Sequence, residues 1–541
     1  MDHSRGLDPV DEEKTVGSGH GSNSPVPKAG TVVKVDDLDN NAPRPRGILA
    51  KMLHYEQVLD KKLGVESLSL ERRTPEGRNP SFRSWSKQIM MFLMWISSCC
   101  NLCCFATGFI GYEFGLDLKS TLLITCFGNL LGCLLPGSCA IMGLKTGLRS
   151  VSMMRYSMGW YGAKLIALFN IIEQCGWTAV GAITGGLALS AVTDRAIGSA
   201  LGVVILCVIS LIISLVGVKG VLLYEKWSGI IYIAVFLVMW CQAGHVADFA
   251  KSHDFEGSNL TAGFLSVFSI MYASSASWGS IIADFYVDYP VNTPWWRVAG
   301  MTMVGIWLPT CFTMGIGAVA ASALHSNAEW KAAYDDKGRG IGFLIEMMLH
   351  PRPLAKALLA ILSISSLGMM SVSLYSIGLA IQQLGRPVAR VPRFIYTILA
   401  FLVVGALGVI GAEKLIPYLV NFLSLLGYWA TAYIVIVMLE HFVFRRGHEG
   451  FGMYNLEAWN DPSQLPVGYA GCAAFVLGLV GAIMGMSEAW HQGPLARLIG
   501  SSDVIDGKQA HYADLGNEVC FILSVLVFLP ARWLELKAMK R

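Results

Sequence analysis

Charge is what this sequence has least of. Only 15% of its 541 residues are Asp, Glu, Lys or Arg, whereas a soluble globular domain carries about 25%. Residues 197–218 contain no charged residue at all, and they match the ~20 apolar residues that cross a bilayer as a helix. Because 54% of the chain is hydrophobic and its apolar residues come in such runs, a soluble protein is excluded and a polytopic membrane protein is predicted.

The sequence also lacks the signatures of enzymes. It contains no H-E-x-x-H, G-x-S-x-G or Walker-type loop, and its histidines lie mostly in loops. No soluble segment is left over to hold a nucleotide, and the net charge of +3 comes from basic residues in loops, so no nucleic acid partner is expected. We therefore expect no enzymatic activity, no cofactor and no metal.

The loops predicted to lie outside the cell lack cysteine, so no extracellular disulfide is expected. The 13 cysteines lie almost entirely in apolar runs, where a thiol acts mostly as a small hydrophobic group. The densest cluster, residues 99–104, contains a C-x-x-C pattern, for which a redox or metal site is the alternative interpretation.

The N-terminus also lacks an apolar run, since the first one begins only near Ile89. A signal peptide needs such a run close to the N-terminus, so none is expected. Residues 1–83 are polar and are predicted to form a largely disordered cytoplasmic tail, in which 48–73 can form an amphipathic helix on the membrane face. Residues 84–535 form the predicted membrane domain, and 536–541 form a C-terminal tail.

Twelve apolar segments are present, each predicted to be a membrane-spanning helix. They lie at approximately 89–112, 119–143, 160–191, 197–218, 227–250, 262–285, 298–324, 354–382, 392–412, 415–444, 467–487 and 515–535. Basic residues concentrate in the short loops on the side of the N-terminus, such as Arg149 and Arg155, which predicts that this side is cytoplasmic. Both termini are then cytoplasmic, and the sequon at Asn259 lies outside as a candidate N-glycosylation site.

The first and sixth segments are interrupted at mid-depth by small polar residues. Ser274, Ser277 and Trp278 lie in the run 273–279 of the sixth, and Ser97 lies in the first. Two interrupted helices five spans apart predict an inverted repeat, because an odd offset reverses the orientation of the second set. The predicted fold is an all-α membrane protein with a LeuT-type 5+5 inverted repeat plus two C-terminal helices. The alternative is that small residues merely let helices approach closely.

Aromatic and acidic residues inside these segments are candidate functional groups. Trp278 and Trp177 lie deep in their segments, where they can stack on a flat ligand instead of joining an interfacial belt. Glu173 is a carboxylate within a long apolar helix, so it is a candidate for carrying a coupling proton or for contacting substrate. The alternatives are a carboxylate near the helix end that reaches water and a structural pair with Gln174 or Asn170.

Two further acidic residues lie nearer the predicted ends of their segments. Asp284 lies toward the cytoplasmic end of the sixth segment and is predicted to gate or cap, and Glu225 is predicted to be interfacial.

Three groups of motifs resemble those of one family. Residues 155–161, 170–177 and 185–186 resemble the third-helix region of fungal purine–cytosine permeases, 277–285 resembles their sixth helix, and 375–379 with 389–394 resembles the end of their eighth helix and the loop after it. The chain resembles the nucleobase–cation symporter family in its fungal purine–cytosine permease branch. The resemblance implies twelve spans, the LeuT-type fold and proton-coupled uptake at the plasma membrane.

The resemblance implies that Ser97, Trp177 and Trp278 contact the base. Two family features differ here: Gly181 replaces an asparagine, and residues 369–373, with Ser373, replace an Asn-Asn-x-Pro-Asn run. Amides donate and accept at once, so their loss removes readout of a base edge.

The expected function is secondary active transport of a nucleobase-like planar heterocycle, with the lipid bilayer as the other partner and H⁺ as coupling ion. A vitamin such as pyridoxine is the alternative substrate. An uncoupled facilitator and a non-transporting receptor are the alternative classes of protein, and no oligomeric state is predicted. An amino-acid carrier of the same fold is disfavoured by the cysteine cluster at the first break.

Overall fold

The computed structural model describes Met52 and residues 72–539, with gaps at 217, 336–339, 413 and 506. Most of the predicted tail 1–83 and nearly all of the predicted amphipathic helix at 48–73 lie outside the described residues. At the other end, the last helix continues to Ala538, so the predicted C-terminal tail 536–541 starts inside a helix. The predicted domain boundaries stay predictions.

The described part of the chain is almost entirely helical, because a segment in lipid must hydrogen-bond its own backbone. The helices are α1 Trp85–Cys99, α2 Leu102–Thr107, α3 Ile110–Glu113, α4 Leu118–Thr146, α5 Ser150–Met153, α6 Arg155–Val192, α7 Ser199–Val216, α8 Val218–Ala243, α9 Gly257–Ala276, α10 Trp295–Ala323, α11 Ala328–Asp335, α12 Gly340–Met348, α13 Arg352–Ser363, α14 Leu367–Gln383, α15 Arg386–Ala389, α16 Arg393–Gly411, α17 Leu415–Leu439, α18 Tyr469–Gly485 and α19 Gly516–Ala538. Short 3₁₀ turns at Ser277–Ser280 and Ile282–Phe285 follow α9.

Two small β-hairpins occupy the connection between α18 and α19. Strands β1 Ser487–Glu488 and β2 His491–Gln492 pair antiparallel, with Ser487 opposite Gln492. Strands β3 Val504–Ile505 and β4 Lys508–Gln509 pair in the same way, with Val504 opposite Gln509. These hairpins lie at the face where α9 begins, since the Gly500 N–H donates to the Ser258 hydroxyl at 2.7 Å. The other end of α9 lies at the face where α1 begins, because Arg78 binds the connection that follows α9.

Among the described residues, 10 helices are long and apolar enough to cross a membrane, and the bent unit formed by α1 with α2 and α3 raises the number to 11. Each predicted apolar segment coincides with a helix. However, α18 has 17 residues, the lower end of the ~17–25 that span a bilayer. The predicted count of twelve spans is therefore not confirmed.

Both predicted interruptions are present. The first lies between Cys99 and Leu102, where the helix direction changes by 48° and the Asn101 side chain accepts a hydrogen bond from the Cys104 backbone at 3.0 Å. The second lies after Ala276, where α9 gives way to 3₁₀ turns. A third interruption, between α13 and α14, was not predicted, and its Ser365 hydroxyl accepts from the backbone N–H of Leu102 at 3.2 Å. The first and third breaks are therefore in contact.

Small residues also allow close helix packing, as the alternative interpretation held. A Cβ atom added at Gly132 on α4 would lie 2.4 Å from the Tyr272 carbonyl of α9. One added at Gly317 on α10 would lie 2.1 Å from the Phe105 carbonyl of α2. Only glycine permits these crossings, so the small residues serve helix packing as well as the breaks.

Two arginines join neighbouring segments at the membrane face where α1 begins. Arg78 donates to the Tyr289 carbonyl at 3.0 Å and thereby holds the end of the N-terminal tail against the connection after α9. Arg532 on α19 binds both carboxylate oxygens of Glu440 at 2.8 Å each, in a buried pair. This bidentate geometry joins α19 to the end of α17.

Candidate functional site

Trp278 lies on the first 3₁₀ turn after α9, where the helix has opened. Its ring meets the ring of Trp95 on α1 edge to face, with centroids 5.6 Å apart and an interplanar angle of 72°. It also packs against the buried cluster formed by Ile281 and by Val372 on α14. The two broken helices therefore touch through their tryptophans, and Trp278 is partly exposed between them and α14.

Residues 369–373 of α14 lie against α6. A Cβ atom at Gly181 would lie 2.8 Å from Met370 Cγ and 3.3 Å from Met369 Cε. One turn along, the Ser373 hydroxyl donates to Gln174 Oε1 at 2.9 Å. The two departures from the family pattern are thus neighbours in space, because the methionines fill the volume beside the glycine.

Trp177 shares a face of α6 with Gln174 and Gly181, three residues before it and four after it. On that face Gln174 and Gly181 contact α14. Trp177 is 9% exposed, and its ring contacts Phe422 on α17 edge to face at 5.6 Å. Trp177 therefore lies beside the turns of α6 that contact α14, and its ring packs toward α17.

Glu173 is 1% exposed and lies within hydrogen-bonding reach of the Ser280 hydroxyl. Its Oε2 atom accepts no hydrogen bond from the described residues. Gln174 is instead engaged with Ser373, and the Asn170 Oδ1 atom is also without a described donor. The alternative of a structural pair with Gln174 or Asn170 is not formed, which leaves a carboxylate oxygen open to a proton or a ligand.

The serines after α9 satisfy the backbone that the break exposes. Ser277 donates to the Ser274 carbonyl at 3.3 Å, and Ser280 donates to the Ser277 carbonyl at 2.9 Å. All three are buried, so their hydroxyls replace helix hydrogen bonds inside the protein. Their remaining lone pairs are acceptors for a ligand.

Ser97 points toward α8. Its hydroxyl lies 2.8 Å from that of Ser228 and within reach of Glu225, while Ser98 donates to Glu225 Oε1 at 3.1 Å. The prediction that Glu225 is interfacial is wrong: the residue is 0% exposed. The reason is that α8 begins at Val218, two turns earlier than the apolar segment 227–250 indicated, so Glu225 lies inside a packed helix. The apolar run at 221–223 before it was the available signal.

Asp284 binds the segment that connects α4 to α6. Its Oδ1 atom accepts from the Ser150 backbone at 2.9 Å, and its Oδ2 atom lies 3.6 Å from an Arg149 nitrogen. This is a capping arrangement, whereas the gating role stays a prediction.

Asn259 lies in the first turn of α9 and is half-buried, and its glycosylation also stays a prediction.

Within the described residues, no group of three or more His, Cys, Asp or Glu is placed to hold a metal ion.

An apolar groove of about 430 Å³ lies between α6, α14, α16 and α17. Gly176 and Phe422 line it, so it lies behind Trp177, on the α17 side. Its lining is aliphatic apart from Cys175, Tyr418 and Phe422. The candidate site is therefore the polar region around Trp278 and Glu173, and not this groove.

The model of a protein family described as permeases for cytosine/purines, uracil, thiamine and allantoin matches residues 80–504. The chain belongs to this family. Two relatives show the range of its members. The purine-cytosine permease fcyB of Emericella nidulans is 31% identical over 447 residues, covering 82% of this chain and 84% of the relative. The vitamin B6 transporter TPN1 of Saccharomyces cerevisiae is 28% identical over 550 residues, covering 91% and 92%.

A solved structure with the same fold is that of Mhp1, a nucleobase-cation-symport-1 family transporter, in a closed conformation with bromovinylhydantoin bound. The TM-score is 0.63 at 13% identity, and the match covers 87% of the permease and 96% of Mhp1. The predicted LeuT-type fold is confirmed, and the family confirms the predicted class of multi-pass membrane transporter.

Proposed function

We propose that this permease takes up a planar heterocycle of the nucleobase class across the plasma membrane, in symport with protons. The observation that carries the proposal is the opened helix after α9, where the partly exposed ring of Trp278 meets Trp95 beside the buried serines. Aromatic faces bind flat rings by stacking, and the serines after α9 and the open carboxylate oxygen of Glu173 supply hydrogen-bonding groups at the ring edge.

A vitamin such as pyridoxine is the second candidate substrate. Gly181 and Met370 fill the place where an amide would read a purine or cytosine edge, which leaves stacking and hydroxyl contacts to determine affinity. Pyridoxine is a flat, hydroxylated ring that needs no such amide. The relative TPN1, which is named as a vitamin B6 transporter, supports this reading.

Proton coupling is proposed because carboxylates are buried in the membrane part of the protein. An ionised carboxylate in a low-dielectric interior is costly, so such a group neutralises by binding a proton, which it can later release to the other face. The basic residues of the short loops on the N-terminal side support cytoplasmic termini.

Uptake assays in a fungal strain without nucleobase and vitamin permeases test the proposal. The panel is radiolabelled cytosine, adenine, hypoxanthine, allantoin, thiamine and pyridoxine, each with and without a protonophore. We expect accumulation of one or more of these compounds that collapses with the protonophore.

Two other outcomes distinguish the alternatives. Equilibration that the protonophore leaves unchanged would identify a facilitator. Correct surface expression with no uptake of any compound would overturn the transport assignment for these substrates and favour a receptor.

A further inference from the structure

A second carboxylate lies inside the membrane part of the permease, away from Glu173. Glu225 on α8 is 0% exposed. Its Oε1 atom accepts from Ser98 at 3.1 Å, and its Oε2 atom accepts no hydrogen bond from the described residues. A fully buried acid with one oxygen unused calls for a functional explanation, because such groups are normally satisfied.

Glu225 lies where two of the three helix breaks meet. On one side are Ser97 and Ser98, at the end of α1 just before the first break. On the other side is Gly368, at the start of α14 just after the third break, where an added Cβ atom would lie 1.8 Å from Glu225 Oε1. The backbone of α14 therefore packs directly against the carboxylate, and a side chain at position 368 would force the Glu225 carboxylate to move.

Among the side chains that the structure describes, none neutralises a negative charge on Glu225. The titratable groups near it are Cys99 on α1 and Tyr224 and Tyr232 on its own helix, and α14 presents Gly368. Among the described residues, no Lys, Arg or His forms an ion pair with it. Removing an unpaired ion from water is strongly unfavourable even after the protein relaxes, so a neutral, protonated acid is the stable closed form.

Ser97 links this carboxylate to α1, the broken helix whose Trp95 contacts Trp278. Its hydroxyl reaches both Ser228 and Glu225, and the family resemblance assigns the same residue to the base. A hydroxyl carries one proton and can donate to one partner at a time. Once Glu225 is protonated, it can itself donate, and the Ser97 hydroxyl is released to donate to a substrate.

We propose that Glu225 binds the coupling proton at this junction, and that Glu173 contacts the substrate instead. The proposal rests on proton-coupled uptake as proposed above. The carboxylate takes one H⁺ from the face to which the site is open, and the O–H bond that forms removes its charge. The breaks then close over it, and the same O–H bond breaks when the site opens to the other face, so one H⁺ crosses with each substrate.

The test uses the purified full-length permease in liposomes, with tritiated adenine or pyridoxine, whichever the wild type transports. A gradient of one pH unit can drive about tenfold accumulation when one proton accompanies one substrate, since tenfold corresponds to about 1.4 kcal/mol. We expect Glu225→Gln, which mimics the protonated acid, to show no accumulation and yet to exchange external label for internal unlabelled substrate within about twofold of the wild-type rate.

Two control variants separate coupling from folding and from substrate contact. Glu225→Asp keeps an acid at the junction and is expected to retain part of the accumulation. Glu173→Gln is expected to weaken substrate affinity while keeping pH-driven accumulation. Wild-type accumulation by Glu225→Gln would overturn the proposal, and so would loss of exchange together with accumulation.

Failure of the underlying function gives a different result. If the wild type itself transports none of the compounds, the proposed substrate class fails before Glu225 is tested. If the wild type accumulates substrate with a sodium gradient and not with a pH gradient, the proton assignment is wrong for the whole protein and therefore for Glu225.

Discussion

Gly181 on α6 lies directly against Met370 on α14, so that a Cβ atom at position 181 would approach Met370 Cγ to 2.8 Å. The glycine and the methionine form one packing unit, in which the flexible thioether side chain occupies the space that a larger residue at 181 would take. Substrate selection is therefore expected to depend on both residues together.

Introducing an amide side chain at position 181 should change the substrate preference. In Gly181→Asn/Met370→Ser the asparagine has room and can read a base edge. We expect the ratio of adenine or cytosine uptake to pyridoxine uptake to rise roughly tenfold, which corresponds to about one net hydrogen bond. Gly181→Asn alone is the control and should lower uptake of every substrate, because Met370 must then move. An unchanged ratio in the double variant would contradict the assignment.

Removing the indole ring of Trp278 should weaken substrate binding. Stacking of one base on an aromatic side chain is worth about 1–3 kcal/mol, so Trp278→Ala should raise the apparent KM roughly 5- to 150-fold, whereas Trp278→Phe should retain most of the affinity. The matched control is Trp490→Ala, since Trp490 is 61% exposed in the β1–β2 turn. Initial uptake rates, normalised to surface expression, give the KM. Equal values for both alanine variants would remove Trp278 from the site.

Glu173→Gln should change how uptake depends on pH. The buried carboxylate oxygen that lacks a described partner is replaced by an amide that cannot ionise. If Glu173 contacts the substrate, the pH dependence of the apparent KM flattens in the variant, while the ratio of accumulated to external substrate at a fixed pH gradient is kept. An apparent KM with the wild-type pH profile would exclude Glu173 from the mechanism.

A carboxylate pair at the membrane face opposite the start of α1 should make stability depend on pH. The Tyr428 hydroxyl lies 2.8 Å from Asp514 and 3.4 Å from Glu488. Burial, together with the nearby Asp514, raises the pKa of Glu488 to about 9, and burial raises the pKa of Asp514 to about 6. The folded protein therefore binds these protons more tightly than the unfolded chain.

This stabilisation is fully present below the ordinary carboxyl pKa of about 4.5 and is lost as the pH rises toward 9. Glu488→Gln removes the larger part of the effect. Its Tm in detergent should fall less than that of the wild type between pH 5 and pH 8.5, by roughly 2–4 °C for each kcal/mol removed. Parallel Tm curves for the two proteins would show that Glu488 does not titrate differently on folding.

The positions of the membrane segments and of two breaks followed from the sequence, because lipid imposes a length and an apolar composition on any spanning helix. The runs around Ser97 and Trp278 also indicated where those helices open. The boundary of α8 was missed. The helix begins at Val218, before a stretch around Tyr224 and Lys226 that mixes polar and apolar residues, and local composition there does not separate a packed helix end from an interfacial one.

By itself the sequence determined the class of protein, the order of its helices and the residue types available for a flat ligand. Tertiary structure alone decided the partners of those residues: that Met370 covers Gly181, that Ser373 holds Gln174, and that Glu225 lies between two broken helices. The physical reason is that helices apolar on nearly every side carry little periodic signal for which face meets which neighbour. Close backbone approaches at single glycines and pairs of polar side chains set those contacts, and both exist only once the helices have packed.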